Sequence, residues 1–228
     1  MSLINKVAAI IDSKKPIDEV TYLEKRVRYD DTISILDIDL KTIIPAPAKN
    51  SSLTTGKELS EISRLTKIRT NKEIDLIRSV DRDPLELYLG LLKKNGLVFP
   101  QALFNDYYNI IEQYMYALKF YYNRARPEQL APYFNLDIDV LYTETHHTPS
   151  YPSGHMMYSE LVAHVLSDKY PEFKDKFFEL SNYCGYARIL QGVHYASDNK
   201  VSRIVVEKLY KLIKGISDDK ESKKLSID

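Results

Sequence analysis

A single cysteine, Cys184, is the only thiol in 228 residues. It excludes an intramolecular disulfide framework, and with no second thiol or metal-binding cluster beside it Cys184 reads as a small buried apolar residue. Net charge is also missing, since 32 Lys and Arg balance 32 Asp and Glu. A general basic face for nucleic acid is thereby excluded, and any cationic cluster is local. No apolar run approaches the roughly 18 uncharged residues of a membrane span. The opening stretch, Met1 to Asp12, is interrupted by Asn5 and Lys6 and lacks the continuous apolar core and cleavage site of a secretion signal. The chain is expected to be soluble and, as written, cytoplasmic, with export left open to a form whose leader has been removed.

What is present is mostly helix signal. With 44% hydrophobic and 28% charged residues, the chain reads as one globular domain able to bury about 70–75% of its unfolded surface. Thr55-Gly-Lys-Glu58 and Thr70-Asn-Lys-Glu73 each fit a capping box, with Thr as N-cap. Asp83-Pro84 reads as an N-cap followed by proline at the first helical position, and that helix should stop near Asn95-Gly96. Tyr107, Ile110, Ile111, Tyr114, Leu118 and Tyr121 recur at helical spacing between Gln101 and Ala125, and Pro127 is expected to end that helix. The stripe reads as packing rather than as a cofactor box. Residues 127–154 read as a functional loop, with helices following at about 155–168, 171–187 and 198–214. Ile33, Ile35, Ile38, Leu40, Ile43 and Ile44 allow a short extended segment, ended by Pro45-Ala-Pro47. The expected division is an N-terminal extension over 1–44, a helical domain over 45–216 and a polar, frayed tail over 217–228.

Three short segments carry the chemistry. Lys119 and Arg126 are seven residues apart, about 700° of helical rotation, so one helix would point both the same way. Arg offers a planar fork to two phosphate oxygens and Lys a compact charge, although such pairs are also common on solvated faces. Tyr151-Pro-Ser-Gly-His155 precedes an apolar helical pattern. Unpaired N–H groups at a helix start suit an anion, Gly154 permits close approach, Ser153 can donate to an oxygen and His155 can protonate a leaving group. The bland alternative is a Ser N-cap with an incidental histidine. In the third segment His194 and Asp198 are four residues apart, so the carboxylate can fix the imidazole tautomer and leave the other nitrogen nucleophilic. Arg188 lies six residues before His194, with Gly192 breaking the helix between them. Alone, the His/Asp pair would be an ordinary helix-surface pair. His146 and His147 read as loop residues at a substrate entrance, and His164 with Asp168 as a helix-face pair; no ligand spacing for zinc accompanies them.

Together these residues resemble the type 2 phosphatidic acid phosphatase superfamily, whose pattern is K-x6-R-P, then P-S-G-H, then S-R-x5-H-x3-D. The match runs through Lys119, Arg126-Pro127, Pro152-Ser153-Gly154-His155, Arg188, His194 and Asp198, with Ala187 in place of the motif serine. Ser150-Tyr151-Pro152-Ser153-Gly154-His155 is most similar to the soluble class A bacterial acid phosphatases, with Met156 where they usually have Thr. Those enzymes are normally exported, whereas no leader is seen here. The resemblance implies an all-α, compact single-domain helical bundle of the acid phosphatase and vanadium haloperoxidase type. It implies a phosphomonoesterase with no cofactor and no metal, in which His194 becomes a phosphohistidine, Asp198 orients it and His155 acts as acid and then base. Lys119, Arg126, Ser153, Gly154 and Arg188 would hold the phosphoryl oxygens. The expected partner is a small phosphate ester, with no nucleic acid and no membrane; the resemblance allows a homo-oligomer. Acid to neutral pH would be favoured, because His155 must start protonated and an unperturbed imidazole titrates near ~6.5. Two other classes share the cradle: a vanadium-dependent haloperoxidase, whose segments are more widely spaced, and a non-catalytic phosphate-binding helical module, which would lack one of the two histidines.

Overall fold

The computed structural model describes residues 3–14, 44–143 and 145–225. Its elements in chain order are α1 (Leu3–Asp12), α2 (Leu53–Ile68), α3 (Asn71–Arg82), α4 (Glu86–Lys94), α5 (Gln101–Tyr122), α6 (Pro127–Leu130), α7 (Gly154–Lys169), α8 (Lys174–Leu190) and α9 (Ala196–Leu225). Single 3-10 turns, Ala131–Phe134 and Pro171–Phe173, follow α6 and precede α8. No strand occurs among the described residues, and the fold is all-α. Nor is any described helix long and apolar enough to cross a membrane. The extended segment expected around Ile33 to Ile43 lies outside the described residues.

Helix α7 is the axis of the fold. It packs against α5, α8 and α9, and Met156, Met157, Leu161, Val162, Ala163, Val165 and Leu166 are all buried on it. Ser159, Glu160 and Ser167 are buried on it as well, so no solvent stripe orients the helix outward and it belongs inside the bundle. Gly185 on α8 lets that helix approach α7, since a Cβ there would come within 2.8 Å of Met156 Sδ. From α5 the core receives Tyr107, Ile111, Tyr114 and Leu118, whereas Tyr121 is 58% exposed. The expected stripe is therefore packing over most of its length, and its last member faces water.

Local signals are met in part. Thr70 closes its capping box with Glu73. Thr55 does not cap: Ser52 does, accepting from the Thr55 N–H, so α2 begins one turn earlier. Asp83 accepts from the Leu85 N–H at 2.8 Å, closing a turn before α4 rather than starting the helix at Pro84. Helix α4 stops where expected, with Asn95 as C-cap and Gly96 at φ +63°. Helix α5 ends at Tyr122, because Asn123 turns left-handed (φ 48°) and its N–H closes on Lys119 O at 2.9 Å. Asparagine tolerates that conformation, so it stops the helix ahead of the proline. Pro127 instead opens α6 with Arg126 as its N-cap. Lys119 and Arg126 are thus on different elements, and the argument from 700° of rotation does not hold. The last helix runs to Leu225, beyond the end expected near residue 214.

Leu161 is fully buried at the centre of α7, so Leu161→Ala is expected to cost about 2–5 kcal/mol. Urea denaturation, compared with the exposed substitution Lys200→Ala, measures it. A midpoint equal to that of the surface variant would contradict the central place of α7.

Candidate active site

The three segments meet at a cavity of about 230 Å³ between α5, the start of α7 and the turn before α9. Lys119, Arg126, Gly154, His155 and His194 line it, with Thr145 and Thr148 from the loop and Pro84, Tyr108, Met115, Tyr116 and Tyr158. Ser153 and Arg188 do not line it but stand beside it. The Ser153 hydroxyl is buried with no hydrogen-bond partner, and so is the Arg188 Nε. Unpaired buried donors are costly unless a ligand completes them, and these two border a cationic cavity.

His194 is held from both sides. Its Nδ1 donates to Asp198 Oδ2 at 3.0 Å, and its Nε2 accepts from Arg126 Nη1 at 2.9 Å. An arginine only donates, so the ring is the neutral tautomer with its proton on Nδ1. Burial, followed by the charges of Arg126, Lys119 and Arg188, holds its pKa well below the ordinary imidazole value. The nitrogen facing the cations therefore keeps its lone pair at neutral pH. Arg126 also donates through Nε to Thr148 O at 2.9 Å and through Nη1 to Val193 O at 2.7 Å. Burial pushes it down to about 10, and it remains charged at pH 7. Lys119 Nζ donates to Pro149 O at 2.6 Å. Gly154 brings α7 against α5, where a Cβ would come within 2.8 Å of Met115 Sδ and 3.9 Å of Lys119 Cε.

His155 departs from expectation. Loss of hydration and then the Arg188 guanidinium push its pKa down to about 3. Its Nε2 lies 3.4 Å from Asp81 O. His155 is therefore neutral across the physiological range, so a pH preference cannot rest on an imidazole titrating near its usual value. A dianion placed against Arg188 would oppose its field and raise that pKa.

Four partners escaped the sequence reading. Arg124 donates to Asp198 Oδ1 at 2.6 Å, to Ser197 Oγ at 2.8 Å and to Glu58 Oε2 at 3.0 Å, and it lies 3.8 Å over the Tyr195 ring. Ser150 Oγ also donates to Asp198. Asp81 accepts from Arg188 at 2.5 Å and from Thr143 at 2.6 Å. Burial opposes its ionisation, but those two hydrogen bonds prevail and hold its carboxyl below the usual range. Arg124 was visible as a third cation inside the first segment, and Ser150 as a neighbour of the second. Asp81 carries no sequence signal, and Glu58 only that of a capping box it does not form, because their partners Arg188 and Arg124 lie 107 and 66 residues away.

The other histidines stay outside the cavity lining. His146 bonds to Thr143 O and stacks on His147 at 4.8 Å. His164 lies 4.0 Å from Glu160 and feels the Asp168 charge, while the Asp168 carboxylate accepts from Tyr210 at 2.9 Å. Cys184 is buried, its thiol pushed up to about 12. Ala187 packs with Ile77, Val80 and Leu190, where a serine would put a hydroxyl into an apolar cluster. Among the described residues no three His, Cys, Asp or Glu side chains gather as a metal site.

Residues 104–206 match the family model of the PAP2 superfamily. All three segments fall inside that stretch, and the match supports a phosphatase activity. The chain is also similar to the solved structure of the first transmembrane PAP2 type phosphatidylglycerolphosphate phosphatase from Bacillus subtilis, at 16% identity over 95% of this chain and 92% of that one, with a TM-score of 0.41. No curated protein matches the chain.

The depressed pKa of His155 has a consequence for stability. Unfolding returns the ring to about 6.5, so between that value and about 3 the unfolded state binds more protons. Stability is full above about pH 6.5 and is lost as pH falls below it. Thermal midpoints at pH 7.5 and 5 should therefore differ more for the wild type than for His155→Gln, and saturating phosphate should narrow the wild-type gap. Equal drops in the two proteins would show that His155 is not held neutral.

Proposed function

We propose that this protein is a metal-independent, acid phosphatase-like phosphomonoesterase that hydrolyses small phosphate esters through a phosphohistidine on His194. One observation carries the reading: a neutral His194 whose Nδ1 is tied to Asp198 and whose Nε2 faces Arg126 in a cavity also lined by Lys119 and His155. The phosphoryl oxygens would take hydrogen bonds from Arg126, Lys119 and the N–H groups opening α7, and from the unpaired Ser153 hydroxyl and Arg188 Nε. Arg126 then exchanges His194 Nε2 for a phosphoryl oxygen. This frees the lone pair to attack phosphorus in line with the ester oxygen.

As the phosphorus–oxygen bond breaks, the leaving oxygen takes a proton from His155, which dianion binding has protonated. The new bond joins phosphorus to Nε2, and Asp198 stabilises the positive charge that develops on the imidazole. Water, deprotonated by His155, attacks phosphorus in the second half-reaction, and the phosphorus–nitrogen bond breaks to restore His194. The cations supply the charge neutralisation that phosphoryl transfer requires.

Phosphate release from nitrophenyl phosphate should persist in EDTA and be blocked by vanadate, which adopts the five-coordinate geometry of the reaction. Loss in EDTA with recovery on adding zinc or magnesium would overturn the metal-independent reading.

Acid-quench trapping separates the histidines. His194→Ala should retain no label from radiolabelled substrate and almost no turnover. His155→Ala should lose more activity on alkyl phosphates than on nitrophenyl phosphate, whose leaving group needs little protonation. Label retained on His194→Ala would place the nucleophile elsewhere.

A further inference from the structure

The cationic cavity continues into an aromatic slot, and we propose that this slot is the leaving-group subsite, shaped for a phosphate monoester that carries a single flat aromatic ring. The inference rests on the phosphatase reading above and names the substrate class that the cradle alone leaves open.

Lys119 lies in the last turn of α5. Met115 and Tyr116 stand one turn back along that helix and Tyr108 three turns back, about 16 Å from Lys119 at 1.5 Å per residue. On α7, Tyr158 follows His155 by one turn. These side chains line the same cavity as Lys119 and His155. Tyr108 and Tyr158 meet edge to face there, with ring centroids 5.2 Å apart. Phe104 fixes both, stacked on Tyr108 at 5.6 Å and edge-on to Tyr158 at 4.9 Å. The wall is thus built before any ligand arrives, and rigid rings lose little freedom on binding.

Size and chemistry select the occupant. An apolar cavity of about 150 Å³ is enough for benzene, so about 230 Å³ accommodates a phosphoryl group and one ring. Among the described residues, Pro84, Tyr108, Met115, Tyr116 and Tyr158 form most of the lining beyond the cations and histidines, with Thr145 and Thr148. An aromatic ring gains apolar burial and edge contacts with the tyrosines, and its ester oxygen lies beside His155.

Calorimetric binding of methylphosphonate, hexylphosphonate and benzylphosphonate tests this without turnover or leaving-group reactivity. Benzylphosphonate is expected to bind the wild type about tenfold or more tighter than methylphosphonate, and tighter than hexylphosphonate. Tyr158→Ser and Tyr108→Ser should each shrink the benzyl-to-methyl ratio severalfold. The wild-type series decides even if a variant fails to fold. Equal affinities for benzyl and methyl, or a ratio unmoved in folded Tyr158→Ser, would overturn the slot. Tighter binding of hexylphosphonate would replace the ring by an alkyl chain and overturn the aromatic assignment. If phosphate and methylphosphonate bind and esters are hydrolysed, such a result removes only this inference; if none of the anions binds, the phosphatase reading falls with it.

Discussion

The carboxylate of Asp198 is the point on which the site depends. It is fully buried and accepts from Arg124, Ser150, His194 and the Tyr195 N–H. Those donors come from, or directly flank, the three segments that carry the candidate chemistry. A carboxylate without solvent needs such donors to remain charged, and losing one partner of a buried ion pair costs about 3–5 kcal/mol. The need to satisfy this one group therefore draws the end of α5, the loop before α7 and the start of α9 together. Orientation of His194 follows from the same contact.

A second constraint is the surplus of positive charge. Arg124, Arg126, Arg188 and Lys119 are all buried, and like charges at such density oppose folding unless countered. Glu58 and Asp198 counter Arg124, and Asp81 counters Arg188. Arg126 donates to the carbonyls of Thr148 and Val193 with the Glu128 and Asp198 carboxylates acting on its charge, and Lys119 donates to Pro149 O; both side chains line the cavity. Burial first, and then the charges of Arg126, Lys119 and Arg188, keep His194 neutral; burial, Arg188 and Arg126 do the same for His155. An anion is the natural complement, and its arrival would reverse the shift on His155.

Much of the fold was legible because it depends on nearest neighbours. The Thr70 box, the stop at Asn95-Gly96 and the burial of α5 along Tyr107, Ile111, Tyr114 and Leu118 all follow from side chains within a turn or two of each other. Errors arose where two local signals competed. At the end of α5 the left-handed preference of Asn123 acted before Pro127 could, and at α2 Ser52 offered its hydroxyl ahead of Thr55. His164 lies within 4.0 Å of Glu160, while Tyr210 and Lys214 engage Asp168.

Helix signals and the family resemblance of three motifs pointed to the all-helical class, and residue type marked Lys119, Arg126, His155, Arg188 and His194 as a set of groups suited to one anion. It could do so because a tetrahedral oxyanion demands particular donors, and few sequences assemble them by chance. Tertiary structure decided everything that depends on distance through space. It chose Asp81 and Glu58 as counter-charges, made Arg124 a partner of Asp198, left Ser153 Oγ and Arg188 Nε unpaired and set the tyrosine wall beside the cradle. It also moved the proton affinity of His155 far from that of a free imidazole. Hydration and Coulomb energy are properties of the packed surroundings, and residues a hundred positions apart become neighbours only when the chain has folded.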